Sequence, residues 1–290
     1  MADRLRDFQD PTVALNVQFE DPNLVIRVLD TGATTPEEVV ILNGFRAGIK
    51  SLVGLEELVN LEEADLHQNE IADVSPLADL QRLAVLHLGI NQITDATPFS
   101  SMGGLTHLTV FQNEIPDVTP FATMTQLEVL HLRYNLLDDI SPLAELTGLK
   151  ELTFGNNAIE DISCVAGMEQ LELLNGYMNY IEDLRPLVRL QNLKWLYLGF
   201  NRVRDIEPLF ELGSLREVYL EGNDELPKSH VDEIKRFLKE RVAAEKAAAP
   251  QRPKLPDDDP DATEDNGFIS MTQVPDRVKR QRAARAARRK

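Results

Sequence analysis

The feature that most constrains the fold is an asparagine that recurs every 22 residues. A leucine stands eight residues before each copy, and an aspartate stands four residues after each of the first seven. Self-similarity at a period of about 20 to 50 residues is typical of solenoids, in which each unit packs only against its neighbours. The sequence therefore predicts eight full units, marked by Asn69, Asn91, Asn113, Asn135, Asn157, Asn179, Asn201 and Asn223.

The unit reads L-x-x-L-x-L-x-x-N-x-I-x-D-I-x-P-L-x-x-L. In its L-x-L segment the two leucines point to one side of a strand and the residues between them to the other. We expect the leucine sides to merge into one core as units stack, with each asparagine amide pairing backbone groups at the turn. Because a full return helix does not fit in 22 residues, we expect 3₁₀ turns after the proline.

This unit resembles the 22-residue leucine-rich repeats of internalins and of SDS22-like phosphatase regulators. The stretch FEDPNLVIRVL, residues 19–29, is similar to the helical N-terminal cap of bacterial internalin-type domains. The resemblance covers about residues 17–245. It implies an α/β repeat solenoid, a leucine-rich-repeat horseshoe with a parallel sheet on its concave side, 3₁₀ turns on its convex side and helical caps.

Cap signals flank the repeats and divide the chain. Asp21-Pro22 predicts one N-terminal helix, and Thr35-Pro36-Glu37-Glu38 predicts a second that runs into residues 39–42. Ser229 and Asp232 predict a C-terminal helix. We expect an N-terminal segment and cap over 1–46, repeats over 47–226 beginning with a partial unit, a capping helix over 227–245 and a disordered tail over 246–290.

Strand residues that point away from the leucines carry the rare residue types of this chain. Tyrosine, tryptophan, methionine and arginine are enriched at protein interfaces, so we predict a partner-binding surface there. The alternative is that these side chains only pack on each other. The predicted binding residues are Phe111, His131, Arg133, Tyr134, Tyr177, Met178, Trp195, Tyr197, Phe200 and Tyr219.

Four histidines fall on the same face and predict binding that depends on pH, since histidine titrates near pH 6.5. They are His67, His87, His107 and His131. The first three run diagonally, about 8 Å apart, which makes convergence on one zinc ion difficult. Paired carboxylates, a Ser-His-Asp order and a phosphate-binding glycine loop are not evident in the sequence. We therefore predict no catalytic site, no metal and no cofactor.

One core position departs from the pattern. Gly176 stands where the other units have leucine, valine or phenylalanine. A glycine among large apolar side chains predicts a hole or a kink beneath Tyr177 and Met178.

Charge is unevenly divided along the chain. The net charge is −18, but the last fourteen residues, Arg277–Lys290, hold eight positive charges and none that is negative, which leaves −26 on residues 1–276. An acidic body disfavours direct contact with nucleic acid. Four alternatives stay open for the basic tail: a solvated tail of no specific role, binding nucleic acid, binding an acidic partner, or folding back on the body. Just before it, residues 267–275 (GFISMTQVP) are unusually apolar for a linker, by chance or as a motif that folds onto a partner.

The chain has no run of about 18 apolar residues and no signal-like N-terminus, so we expect no membrane contact. Its single cysteine, Cys164, cannot form an internal disulfide. We expect a cytoplasmic monomer that serves as a non-enzymatic protein-interaction scaffold. Two alternatives stay open: a nucleic-acid-associated protein that acts through the basic tail, and an SDS22-like phosphatase regulatory subunit.

Overall fold

The computed structural model describes residues 17–244 together with Leu15, and it places nine short strands in one parallel sheet. Strands that follow each other in the chain are neighbours in the sheet, and each residue pairs with the one 22 positions later, as Glu63 with Val85. The predicted solenoid is confirmed. The predicted disordered tail and Arg277–Lys290 lie outside the described residues. The strands are β1 Ile41–Asn43, β2 Glu63–Asp65, β3 Val85–His87, β4 His107–Thr109, β5 Val129–His131, β6 Glu151–Thr153, β7 Leu173–Asn175, β8 Trp195–Tyr197 and β9 Glu217–Tyr219.

Helical caps stand at both ends of the sheet. Helix α1 spans Pro22–Asp30, and its N-cap Asp21 accepts the Asn23 N–H at 2.8 Å and the Lys50 N–H at 2.6 Å. The second bond ties the cap to the first turn of the repeats. At the other end, helix α3 spans Lys228–Ala244.

The second predicted N-terminal helix is wrong. Residues Pro36–Glu38 form a single 3₁₀ turn, and the chain then enters β1. Three consecutive β-branched residues, Val39, Val40 and Ile41, favour a strand, and Leu42 pairs with Ala64 of β2. The sheet therefore begins inside the range 1–46 that the sequence assigns to the N-terminal segment.

The convex side consists of short turns, as predicted. In the first seven full units each turn is opened by the repeated aspartate, whose carboxylate accepts the backbone N–H two residues on, as Asp73 does from Ser75 at 2.8 Å and Asp205 from Glu207 at 2.9 Å. Unit seven has a one-turn helix instead, α2 Glu207–Phe210. The 3₁₀ turns are Leu55–Glu57, Ser75–Leu77, Thr97–Ser101, Thr119–Thr123, Ser141–Glu145, Ser163–Gly167 and Arg185–Arg189.

The repeated asparagines form a ladder through the interior. The Asn113 Oδ1 accepts the Ile93 N–H at 3.0 Å, and its Nδ2 donates to the Leu88 and Val110 carbonyls at 3.0 and 3.1 Å. Two of these bonds reach the preceding unit. Buried backbone groups that the turn leaves unpaired are thereby satisfied, which confirms the role expected for this position.

The residue before each asparagine has a left-handed backbone. Eight non-glycine residues adopt it, with φ between 50° and 58°, and Gly222 takes the equivalent place in the last unit. This conformation ends the alternation of the strand, so the side chain there leaves the concave face for its edge. Seven of the eight precede an asparagine and the eighth, Arg46, precedes Ala47 in the partial first unit; the seven are Gln68, Ile90, Gln112, Tyr134, Asn156, Met178 and Phe200.

The hole or kink predicted at Gly176 is wrong. A Cβ added there would lie 2.9 Å from Phe154 Cε2 and 2.9 Å from Ile181 Cδ1, so the space is already filled. Phe154 is the large partner of this small residue in the preceding unit. The backbone keeps its regular pairing, because the Gly176 N–H donates to the Tyr197 carbonyl at 2.9 Å.

Candidate functional site

Two ring side chains form the floor of the concave face in the last units. Trp195 and Tyr197, both on β8, pack against Leu173 and Tyr219, and each is only 4% exposed. The Tyr197 hydroxyl donates to the Glu217 carboxylate at 3.1 Å. These rings lie within the surface instead of projecting from it, which sequence reasoning did not anticipate.

Three other aromatic side chains lie above that floor. The Tyr177 ring packs edge-on against Phe200 with 5.3 Å between centroids, and lies 6.1 Å from the Tyr219 ring. Phe200 is 46% exposed, and the two tyrosines are half-buried. We call Tyr177, Trp195, Tyr197, Phe200 and Tyr219 the aromatic end of the concave face.

Glycines decide how these rings lie. A Cβ on Gly199 would come within 2.3 Å of Tyr219 Cε1, and a Cβ on Gly89 within 2.3 Å of Phe111 Cε1 and 2.6 Å of His67 Cδ2. Each glycine therefore lets the ring of a neighbouring unit lie flat across it. Sequence reasoning missed this device, although the alternation of glycine with large residues two positions before each asparagine was visible: His67, Gly89, Phe111, Arg133, Gly155, Tyr177, Gly199 and Glu221.

The middle of the face holds the other predicted binding residues, all of them nearly buried. The Arg133 guanidinium lies 5.7 Å from the centroid of the Tyr134 ring. His131 is 3% exposed and lies 3.6 Å from the Glu151 carboxylate, beyond hydrogen-bonding distance, and neither of its ring nitrogens has a hydrogen-bond partner. This group consists of Phe111, His131, Arg133, Tyr134 and Met178.

The four histidines do not form one cluster. The His67 and His87 rings stack with 5.2 Å between centroids, which is closer than the diagonal geometry predicted. His107 instead contacts the Thr106 hydroxyl at 2.9 Å. Among residues 17–244 no group of three His, Cys, Asp or Glu side chains is arranged to hold a metal ion. We call His67 and His87, with Asp65, the histidine end.

Burial controls protonation at the histidine end. It lowers the pKa of His87 to about 4, with a further contribution from the charge of His67. The Asp65 carboxylate lies 3.0 Å from His67 Nδ1. Burial acts to raise the pKa of Asp65, but hydrogen bonds from the His67 side chain and backbone outweigh it and hold that pKa below its usual range. His87 is therefore neutral near pH 7, and its Nδ1 lies 3.2 Å from the Thr109 hydroxyl.

Comparison with known proteins places this geometry in a family. A family model described as leucine-rich repeats (two copies) matches residues 59–101. The chain is similar to the crystal structure of internalin C2 from Listeria monocytogenes, with 32% identity over 72% of this chain and 96% of that one, and a TM-score of 0.67. The chain belongs to the internalin-like leucine-rich-repeat family.

More distant structures support the fold alone. A leucine-rich-repeat protein from Leptospira interrogans is 20% identical over 64% of this chain and 55% of its own, with a TM-score of 0.58. The plant peptide hormone receptor RGFR1, solved in complex with RGF2, is 20% identical over 58% of this chain and 29% of its own, with a TM-score of 0.52. No curated protein matches the sequence.

Membership of the internalin-like family accounts for the repeat scaffold of this chain. It does not identify what the concave surface binds. The asparagine ladder, the aspartate that opens each turn and the leucine core are repeat positions. The aromatic end and the histidine end vary from unit to unit, so they are the candidate sites. Within the described part of the chain, no helix is long and apolar enough to cross a membrane.

Proposed function

We propose that this chain is a non-enzymatic interaction module that binds a protein partner at the aromatic end of its concave face. The observation that carries the proposal is the contiguous surface made by Tyr177, Phe200 and Tyr219 on a rigid sheet. Exposed aromatic side chains held in fixed positions are typical anchors of protein interfaces, because they bury large areas at small entropic cost.

The buried residues have a supporting role in this proposal. Trp195 and Tyr197 are too enclosed to contribute much contact area of their own. They hold Tyr219 from below, so that the exposed rings are ordered before a partner arrives. Preorganised side chains lose less entropy on binding, which favours affinity. The complex of the plant receptor RGFR1 with RGF2 is a precedent for a ligand on this fold.

Protonation supports a binding role over a catalytic one. An efficient general base has a pKa near the working pH. The pKa of His87 is about 4, which makes this residue a weak base, and its Nδ1 faces a threonine hydroxyl. Burial raises the pKa of the Cys164 thiol to about 12, so this cysteine is a poor nucleophile near neutral pH.

Binding that depends on pH is the finer part of the proposal. His87 stays neutral between pH 5.5 and 7.5, so this residue does not itself change the affinity over that range. Equal affinity for a partner at pH 5.5 and pH 7.5 would contradict this part of the proposal.

The cytoplasmic location and monomeric state stay predictions. The nucleic-acid alternative rests on Arg277–Lys290, outside the described residues, and no described contact favours an SDS22-like regulatory role.

The test is an affinity capture from the source cell with two matched variants. Phe200→Ala/Tyr219→Ala removes the exposed Phe200 ring and the half-buried Tyr219 ring from the aromatic end. Phe45→Ala removes a comparable ring, 36% exposed, near the first strand. We expect the wild type and Phe45→Ala to capture the same partner, and the double variant to lose it. Capture of the same partner by all three would contradict the proposal.

A further inference from the structure

A ring that lies flat on the aromatic end is bordered by other rings and by a carboxylate. Tyr177, Gly199 and Glu221 hold the same position in successive units, so Tyr177 and Glu221 are two strand spacings, or about 10 Å, apart. The Tyr219 ring covers Gly199 between them, because a Cβ on that glycine would lie 2.3 Å from Tyr219 Cε1. The Phe200 ring packs edge-on against Tyr177 on a third side. Ring faces and a carboxylate are therefore within reach of one side chain of a partner.

The Glu221 carboxylate is charged and can accept a further hydrogen bond. Its side chain is 40% exposed, and its Oε1 accepts the Lys235 ammonium of helix α3. Its Oε2 has no hydrogen-bond partner among the described residues. An ionised carboxylate has about four acceptor sites, so one bond leaves room for another donor. Burial acts to raise the pKa of Glu221, but the hydrogen bond from Lys235 outweighs it and holds that pKa below its usual range.

The negative charge of Glu221 acts on the Tyr219 ring. Burial raises the pKa of the Tyr219 hydroxyl, Glu221 raises it further, and the opposing effect of Lys235 is smaller than that of Glu221. A charge that disfavours an anion on this ring favours a cation beside it. The net charge of the chain, −18, acts in the same direction and attracts cationic partners.

Cations lie over several other aromatic rings of this protein, and most of them are arginines. The Arg46 guanidinium lies 5.2 Å from the centroid of the Phe45 ring, and that of Arg202 lies 4.5 Å from the centroid of Tyr180. Of the five such pairs among the described residues, four have an arginine. Phe200 is more exposed than Phe45, yet no lysine or arginine of the described residues lies over its ring. The Phe200 ring is therefore accessible to a cation from another molecule.

We propose that the partner at the aromatic end presents an arginine side chain, whose guanidinium contacts the Tyr219 and Phe200 rings and pairs with the Glu221 carboxylate. This inference rests on the proposed function and names the chemistry that the partner brings. A guanidinium is planar, stacks on aromatic faces and donates two parallel N–H bonds to a carboxylate, which the ammonium of lysine cannot do. Arginine is also among the residue types that most often dominate the affinity of protein interfaces.

Titration of the full-length chain with single amino-acid derivatives tests the arginine without the partner. N-acetyl-arginine methylamide is the probe, and N-acetyl-citrulline methylamide is its neutral control, with a urea oxygen in place of one guanidinium nitrogen. Nuclear magnetic resonance of isotope-labelled tyrosine rings reports binding at each ring. We expect the arginine derivative to shift the Tyr177 and Tyr219 signals and to bind at least about three times as tightly as the citrulline derivative. The Tyr180 signal should not move, because Arg202 already lies over that ring.

Two conservative variants locate the contact, and each has a matched control. Phe200→Leu removes the ring but keeps an apolar side chain, and Glu221→Gln removes the charge but keeps the shape. Each should reduce the preference for arginine over citrulline at least about twofold. Phe45→Leu makes the same ring change near the first strand, and Glu217→Gln makes the same charge change on the other side of Tyr219, so neither should alter the preference. Far-UV circular dichroism confirms that each variant is folded.

Equal binding of the arginine and citrulline derivatives overturns the proposal, and so does tighter binding of N-acetyl-leucine methylamide, which would indicate an apolar side chain instead. It is also overturned if the two controls reduce the preference as much as Phe200→Leu and Glu221→Gln do. These outcomes leave the proposed function standing, because capture of a partner that Phe200→Ala/Tyr219→Ala loses is measured separately. A clear preference for arginine with no partner captured would contradict the proposed function and still support recognition of arginine by this surface.

Discussion

The histidine end and the aromatic end stand on the same scaffold and differ only in what that scaffold displays. Asn113 in the third unit and Asn179 in the sixth make matching bonds, each accepting one N–H from the preceding unit and donating to carbonyls of its own and the preceding unit. Glycine admits a neighbouring ring in both regions, at Gly89 and at Gly199. The backbone therefore imposes no difference between the two ends.

What differs is the chemistry of the rings. At one end two imidazoles stack, with His67 Nδ1 near the Asp65 carboxylate and His87 Nδ1 near the Thr109 hydroxyl. At the other end, carbon-rich rings reach solvent with Phe200 as the most exposed. Some positions, such as the repeated asparagines, have a residue type that the repeat itself requires. These positions say nothing about function. The positions that the repeat leaves free carry the information.

The largest expected effect tests whether the scaffold is equivalent at the two ends. Asn113→Ala and Asn179→Ala each remove side-chain hydrogen bonds from several buried backbone groups, so each should lower the free energy of unfolding by about 3 to 5 kcal/mol. Urea titration of each variant measures this. A difference between the two of more than about 2 kcal/mol would contradict equal scaffolds.

A second prediction concerns a core pair that breaks the repeat. Gly176→Leu introduces a side chain where Phe154 and Ile181 already fill the space, and should destabilise the protein by about 3 kcal/mol. Phe154→Leu alone creates a cavity, but Phe154→Leu/Gly176→Leu restores the residue types of other units. In a double-mutant cycle we expect the two costs to cancel in large part. Simple additivity would refute the compensating pair.

The pH dependence of stability should reside at the histidine end. Because the pKa of His87 falls from 6.5 to about 4 on folding, the unfolded chain binds more protons between these values. His87 therefore contributes stability that is complete above pH 6.5 and is lost as the pH falls toward 4, on the order of 2 to 3 kcal/mol. His87→Thr places at this position the residue type of Thr109 in a neighbouring unit. Between pH 4 and 6.5 this variant should depend less on pH in its free energy of unfolding, measured by thermal unfolding at several pH values. An unchanged slope would show that other groups cause it.

The smallest effect concerns the left-handed column. Ile90 is β-branched and has a φ of 58°, whereas Asn156 holds the same position with a residue that tolerates this conformation. Ile90→Asn should raise the free energy of unfolding by about 0.5 to 1 kcal/mol. Chemical denaturation measures this difference. Gln112→Asn is the control, because it makes the same change in the same column starting from a residue that is not β-branched. Destabilisation by Ile90→Asn would mean that apolar contacts outweigh the backbone strain.

The fold could be predicted from the sequence because the same residue pattern recurs in every unit. The asparagine ladder and the convex turns follow from residues that recur in every unit. Sequence reasoning failed where units depend on each other: Gly176 is explained by Phe154 one unit earlier, and Trp195 lies flat because of its neighbours on the face. Such relations join residues 22 or more positions apart, and a period-by-period comparison treats them as separate exceptions. The helix predicted through residues 39–42 is wrong for another reason. A helix-start signal is visible in the local sequence, whereas the strand that forms there depends on pairing within the sheet.

The most direct test of the account is the affinity for a captured partner, measured by calorimetry at neutral pH with the matched ring variants. The account predicts that Phe200→Ala weakens binding about 30-fold or more, as expected for an interface anchor worth about 2 kcal/mol, and that Phe45→Ala changes it less than about threefold. If Phe45→Ala weakens binding as much as Phe200→Ala, or if neither does, the aromatic end does not carry the binding and the central claim is wrong.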